Sequence, residues 1–174
     1  MMHHALDPNV VIRSMATRGR IGGLCAAAGA AVRILAASGC DPVIVETVGV
    51  GQAEIDVVRL TDLTVLVMAP GLGDDIQAMK AGLVELADVL VVNKADRPDA
   101  EALAMDMEPV ARERNRRLCR TCAADGAGVA ELAAAIDETH RAARDAGLRD
   151  RRLRCRRAEI LDWAVEMLRP RLRD

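Results

Sequence analysis

Asp96 closes the tetrapeptide NKAD, which begins at Asn93 directly after the apolar run DVLVV. A carboxylate there can accept two hydrogen bonds from the N–H groups on the Watson–Crick edge of guanine. Adenine presents an acceptor at that ring nitrogen and lacks the second donor, so Asp96 would discriminate by leaving the wrong base unsatisfied. Asn93 can brace the loop and meet the base's other edge, while the Lys94 stem can lie over the ring plane. The same residues also read as a polar loop after a strand, with Asp96 capping the next turn. A four-residue motif does not by itself separate the two readings.

A second stretch has the same character. VIVETVGVGQ, Val43 to Gln52, runs from apolar residues into Glu46 and then into a loop punctuated by Gly49 and Gly51. Glu46 suits the acidic side of a magnesium site, directly or through water, because magnesium keeps several waters and needs few protein ligands. Gly49 could offer its backbone N–H to a terminal phosphate with no side chain in the way. A solvated glutamate beside an ordinary turn is the plainer alternative. In PGLGDDIQ, Pro70 to Gln77, Asp74 and Gln77 have the spacing of a capping box at a helix start. The same loop could also sense a nucleotide and contact a partner, and the two readings are compatible.

Other chemistry-bearing residues point to structure. CRTC, Cys119 to Cys122, has no second close pair to complete the roughly four ligands of a zinc site. A redox pair would want a helix start after its first cysteine, whereas this one lies along an apparent strand. His3, His4 and His140 lack ligand spacing. The arginine-rich tail carries Leu153, Ile160, Ala164, Leu168 and Leu172 at helical spacing, so a packing helix is favoured over a nucleic-acid arm.

The elements that must position these residues alternate. A helix is expected over Gly22–Ser38 with Gly39 as its stop, then a strand PVIVE, a short helix AEIDVVRL and a strand LTVLVMA. A helix DDIQAMKAGLVELA, a strand DVLVV, a charged helix from about Asp99 to Arg116, a strand LCRTCA and an entirely helical remainder from Val129 complete the order. Short apolar strands between helices indicate an α/β fold, a parallel sheet covered on both faces. Ligands in such sheets sit beyond the carboxyl ends of the strands, where Glu46, PGLGDD, NKAD and TCAADG all fall.

The 174 residues suffice for one domain with a helical appendage. With no Phe or Tyr and only Trp163, the chain offers little aromatic surface for stacking nucleic-acid bases. A formal net charge of -2 gives no global pull toward polyanions. Arg33 interrupts the longest small-apolar stretch, the start lacks the features of a signal peptide, and five cysteines are scattered and odd in number. No nucleic-acid partner, no membrane and a reducing cytoplasm are the expectations.

The blocks IRSMATRGRIGGL, VIVETVGVGQAEIDVVRLTDLTVLVMAPGLGDDIQAMKAG, ADVLVVNKADRPDA and TCAADGAGVAEL closely resemble the MeaB/ArgK family of P-loop G proteins. The resemblance implies a partial P-loop NTPase fold of the G-protein type, with residues 1–140 as the GTPase region and 141–174 as a C-terminal helical dimerisation extension. It also implies a GTPase that binds GTP/GDP and magnesium, forms a homodimer and serves as chaperone to a cobalamin-dependent methylmalonyl-CoA mutase, controlling cofactor loading and protection. Some members carry an older label as an ATPase or kinase of the lysine/arginine/ornithine transport system. By position, Asn93, Lys94, Ala95 and Asp96 would bind the nucleotide base, and Cys122 and Ala123 fall where the family's base-supporting Ser-Ala lies. Cys122 in place of serine weakens that one contact. Glu46 would be the magnesium-side acid, Gly49 and Gln52 would take the catalytic positions, and Asp74, Gln77 and Lys80 would belong to a switch and partner loop. No GxxxxGK[ST] occurs in the chain. The expectation is therefore the C-terminal portion of such a GTPase, with a non-catalytic interaction module as the alternative for the chain alone.

Overall fold

A computed structural model describes residues 6–16, 27–47, 55–71, 83–148, 150, 152–153, 155–157 and 160–161. It divides into two compact units, Met1–Asp56 and Val57–Asp174.

The second unit holds a three-stranded parallel sheet in the order β1-β2-β3: β1 is Val65–Met68, β2 Val89–Asn93 and β3 Arg117–Thr121. In-register pairs run from Val65 with Val89 to Met68 with Val92, and from Val89 with Arg117 to Asn93 with Thr121. The register is pinned where the strands begin. Thr64 N donates to Asp88 Oδ2 at 2.8 Å, and Asp88 N donates back to the Thr64 carbonyl at 2.8 Å.

Val89, Leu90, Val91 and Val92 are all fully buried, as expected of a central parallel strand covered on both faces. Alternation sends Leu90 and Val92 to one face and Val89 and Val91 to the other. The first face packs on the helix Ala100–Glu113, whose buried positions Ala100, Leu103, Ala104, Met107 and Ala111 recur at helical spacing. The helix Val129–Asp145 also packs on β2 and β3 and covers the opposite face. The expected α/β architecture with a parallel sheet is thus present.

Three helix bounds differ from expectation for identifiable reasons. The charged helix ends at Glu113, because Asn115 adopts a left-handed conformation (φ 51) and Arg116 N bonds back to the Ala111 carbonyl at 2.8 Å. The C-terminal remainder is helical as expected among the described residues, but in more than one piece, because the chain turns after Asp145 at Gly147 (φ 95). Beyond the break, Arg152 donates to both carboxylate oxygens of Asp62, tying this segment to the loop before β1. Among the described residues near DDIQAMKAGLVELA, only Leu83–Leu86 form a helix. The boundary expected at 140/141 falls inside the helix Val129–Asp145, so a separate role for 141–174 is a matter of function.

In the first unit, the helix Ala28–Ala37 ends as expected at Gly39 (φ 95), with Cys40 N bonding the Leu35 carbonyl at 3.0 Å and Gly39 N the Ala36 carbonyl at 3.2 Å. The expected strand PVIVE is a correction: Val43–Thr47 has no regular structure, and Ile44 is 86% exposed. β-propensity mostly measures how a side chain packs on a pleated surface. Among the described residues it has no ladder partner, and without one an apolar pentapeptide does not become a strand.

The contrast is measurable by hydrogen exchange. Amides of Val89–Val92 are expected to exchange at least about a hundredfold more slowly than those of Val43–Val45. Comparable protection of the two segments would show that PVIVE pairs in solution.

Candidate functional site

The rim where β2 and β3 end brings NKAD and TCAADG together. Asn93 is the last residue of β2 and lies opposite Thr121 in the ladder. Its side-chain Oδ1 accepts from the Thr121 hydroxyl at 3.2 Å and from the Ala123 N–H at 3.2 Å. A backbone N–H can only donate, so the Ala123 bond fixes which way the amide points. The Asn93 Nδ2 group is left with no partner among the described residues. Just beyond, Ala95 N donates to the Thr121 carbonyl at 3.0 Å.

Lys94 sits at φ 56, a left-handed conformation that costs a lysine roughly 1–2 kcal/mol. It is held there by the Ala95 bond on one side and by Arg97 N, which donates to the Lys94 carbonyl at 3.0 Å. The tight turn brings Lys94, Asp96 and Arg97 to the same opening. Together with Asn93, Cys122, Ala123 and Ala124 they line a cleft of about 280 Å³.

The far wall is a compact loop. Cys122 N donates to the Ala127 carbonyl at 2.9 Å, Gly126 N donates to the Cys122 carbonyl at 2.9 Å, and Ala127 N donates to Asp125 Oδ1 at 2.9 Å. That last bond, helped by the Cys122 thiol, holds the Asp125 carboxyl below its usual range. The Asp125 N–H favours the thiolate of Cys122, yet the neighbouring Asp125 and Asp96 carboxylates and partial burial leave the thiol raised overall. Cys122 therefore stays protonated at neutral pH and can donate toward a carboxylate, as a serine hydroxyl would. Burial raises the Cys119 thiol as well, and both cysteines are free. Among the described residues no group of three or more His, Cys, Asp or Glu could hold a metal.

The structure thus places Asn93, Lys94, Asp96, Cys122 and Ala123 around one cleft, with Ala95 tying the two loops. Glu46 is exposed and belongs to the first unit. Gly49, Gln52, Asp74, Gln77 and Lys80 lie outside the described residues. Arg97 also lines the cleft, a residue without a sequence motif whose only signal is its place one residue after Asp96 in a turn.

The model of a family described as methylmalonyl-CoA mutase-associated GTPase MeaB matches residues 1–174. The chain belongs to the MeaB family. Its relatives include a Pyrococcus horikoshii protein provisionally named a GTPase, 50% identical over 79% of this chain and 46% of its own length. GTPase ArgK of Escherichia coli is 45% identical over 49% of this chain and 26% of its own length. A mouse mitochondrial protein named as a methylmalonic aciduria type A homolog is 38% identical over 55% of this chain and 23% of its own length. The chain thus spans about half, or less, of the length of these relatives. The three-stranded parallel sheet with its helices accords with part of the family's P-loop GTPase fold. Among the described residues no helix is long and apolar enough to cross a membrane.

One backbone position sets the loop against the sheet. Gly128 (φ 72) opens the helix Val129–Asp145, and a Cβ there would lie 2.0 Å from the Arg120 carbonyl oxygen. Backbone cannot yield as a side chain would. Gly128→Ala is expected to cost at least about 2 kcal/mol of stability in urea unfolding, well above a routine surface change. A cost near zero would mean that this close approach is not maintained in solution.

Proposed function

We propose that the cleft is the base-reading site of a guanine-nucleotide-dependent GTPase. The observation that supports this best is the clamp in which Asn93 Oδ1 joins the ends of β2 and β3 and positions Asp96 at the opening. In this reading the Asp96 carboxylate accepts the two Watson–Crick-edge donors of guanine. The unpartnered Asn93 Nδ2 meets an acceptor on the base's other edge, and the Lys94 stem lies along the ring.

GTP and GDP are the ligands. A magnesium ion carried on the nucleotide phosphates would neutralise their charge, and the single exposed carboxylate of Glu46 suits an ion that needs few protein ligands. Gly49 would approach the terminal phosphate through its backbone N–H, and Gln52 would orient the attacking water. Asp74, Gln77 and Lys80 would report the nucleotide state to a partner. Phosphoryl transfer depends on positioning and electrostatic stabilisation more than on covalent chemistry by the protein. These residues would accordingly act by placement.

The base assignment has a direct test. Asp96→Asn puts an N–H donor where guanine also donates, while xanthine presents a carbonyl there. GDP binding is expected to fall by roughly tenfold to a hundredfold, in line with about 1.5–3 kcal/mol for a hydrogen bond to a charged group. XDP binding is expected to rise relative to GDP. An unchanged order of GDP, XDP and ADP would sink the assignment.

The partner reading is a nucleotide-dependent chaperone of a cobalamin-dependent acyl-CoA mutase of the methylmalonyl-CoA type, acting in the cytoplasm as a homodimer. The family description and the naming of the mouse relative support the mutase. Leu153 and Ile160, at 49% and 59% exposure, are apolar residues on the C-terminal helical region with surface left to cover. Leu168, Ala164 and Leu172 of the same expected stripe lie outside the described residues. Sedimentation velocity is expected to show a dimer, a larger species with the mutase only when GTP or GDP is present, and a shift toward monomer for Ile160→Asp. A monomeric wild type would remove the dimer, and binding that ignores nucleotide would remove the switch.

A further inference from the structure

A purine in this cleft has its edge provided for and its faces poorly provided for. The lining residues Asn93, Lys94, Asp96, Arg97, Cys122, Ala123 and Ala124 include no aromatic ring, and the chain contains no Phe or Tyr and only Trp163. Cys122, Ala123 and Ala124 present little surface. The large side chains at the opening are Lys94 and Arg97.

Arg97 is the better stacking group, and its surroundings leave it free for that use. Its backbone is fixed on both sides, with its N–H donating to the Lys94 carbonyl at 3.0 Å and its own carbonyl accepting from Ala100 N at 3.1 Å. Its guanidinium has no hydrogen-bond or ion-pair partner among the described residues. Arg120 on β3 is by contrast tied to Glu101 at 3.0 Å. A guanidinium is planar and weakly hydrated and stacks on aromatic faces, whereas an ammonium is a compact, strongly hydrated point charge. Base recognition elsewhere uses arginine planes as it uses aromatic rings.

We infer that Arg97 supplies a stacking face of the base cleft, its guanidinium plane lying over the purine whose edge Asp96 reads. The inference rests on the guanine reading of the same site. It assigns Arg97 to affinity and Asp96 to selectivity, because a stacked cation is indifferent to the pattern of donors on the ring edge.

The test is a titration of the 174-residue chain with guanosine, GMP and adenosine, followed by NMR at the Ala95 and Ala123 amides and the Arg97 side chain. In the wild type, guanosine is expected to move the Arg97 δ-methylene and Nε–H resonances upfield by ring current. Arg97→Ala should weaken guanosine and GMP by a similar factor, about tenfold, while leaving the guanosine-to-adenosine ratio unchanged. Arg97→Lys, which keeps the charge and loses the plane, should recover little of that loss. A loss confined to GMP and restored by Arg97→Lys would make Arg97 a phosphate contact and overturn the inference. So would unchanged binding in Arg97→Ala. A wild type whose Ala95 and Ala123 amides ignore guanosine would instead overturn the base-site reading itself, and the inference with it.

Discussion

β2 is buried on both faces and paired along both edges, and a strand so enclosed has no room for polar side chains until it ends. Its neighbours must run parallel to it, and parallel strands are joined by crossovers that return the chain to the same starting edge. All three strands therefore deliver their last residues to one rim. Asn93 is the first polar side chain after four buried apolar residues, and the register sets it opposite Thr121. The clamp from Asn93 to Thr121 and Ala123 thus continues the ladder by one side-chain step. The cleft is a consequence of sheet pairing, with the two loops held by bonds that the register makes unavoidable.

Such a site is organised before any ligand arrives. The left-handed Lys94 and the close approach at Gly128 are conformations that a free loop would abandon; the first is held by the Ala95 bond to the Thr121 carbonyl, and the second follows the Cys122–Ala127 bridge. Ordering of these loops is part of folding, so less of it remains to oppose binding. The protonated Cys122 thiol fits the same picture. Against the pull of the Asp125 N–H, the Asp125 and Asp96 carboxylates and burial raise the thiol, so it is not poised as a nucleophile.

Much of this was legible from the sequence because β2 and the helix after it obey two independent periodicities at once. VLVV is a continuous apolar run of strand length, and Ala100, Leu103, Ala104, Met107 and Ala111 trace one helical face. Two strand ends carrying NKAD and TCAADG then had to converge. PVIVE reads equally well as a buried strand, but strand character depends on a partner and a segment's own residues do not reveal one. The charged helix stops short of Arg116 because left-handed Asn115 ends it, although asparagine is a residue that signals such stops. Arg97 is not legible in the sequence because a cation in a loop has no periodicity, and its use depends on which groups already hold the other arginines.

The two ends of a bound nucleotide would draw on different sources of order. Of the residues proposed for the base end, Asn93, Cys122 and Ala123 are fixed by bonds within the unit Val57–Asp174. Glu46, the candidate at the phosphate end, belongs to the other unit and stands in a stretch without regular structure, with Ile44 open to solvent two residues before it. On the proposed reading, a base site ordered by bonds within its own unit would capture the purine first. Ordering around the phosphates would then be a separate event that responds to what the phosphates are. A protein that uses nucleotide state as a signal needs this division: constant recognition at the base, and variable order where GTP differs from GDP.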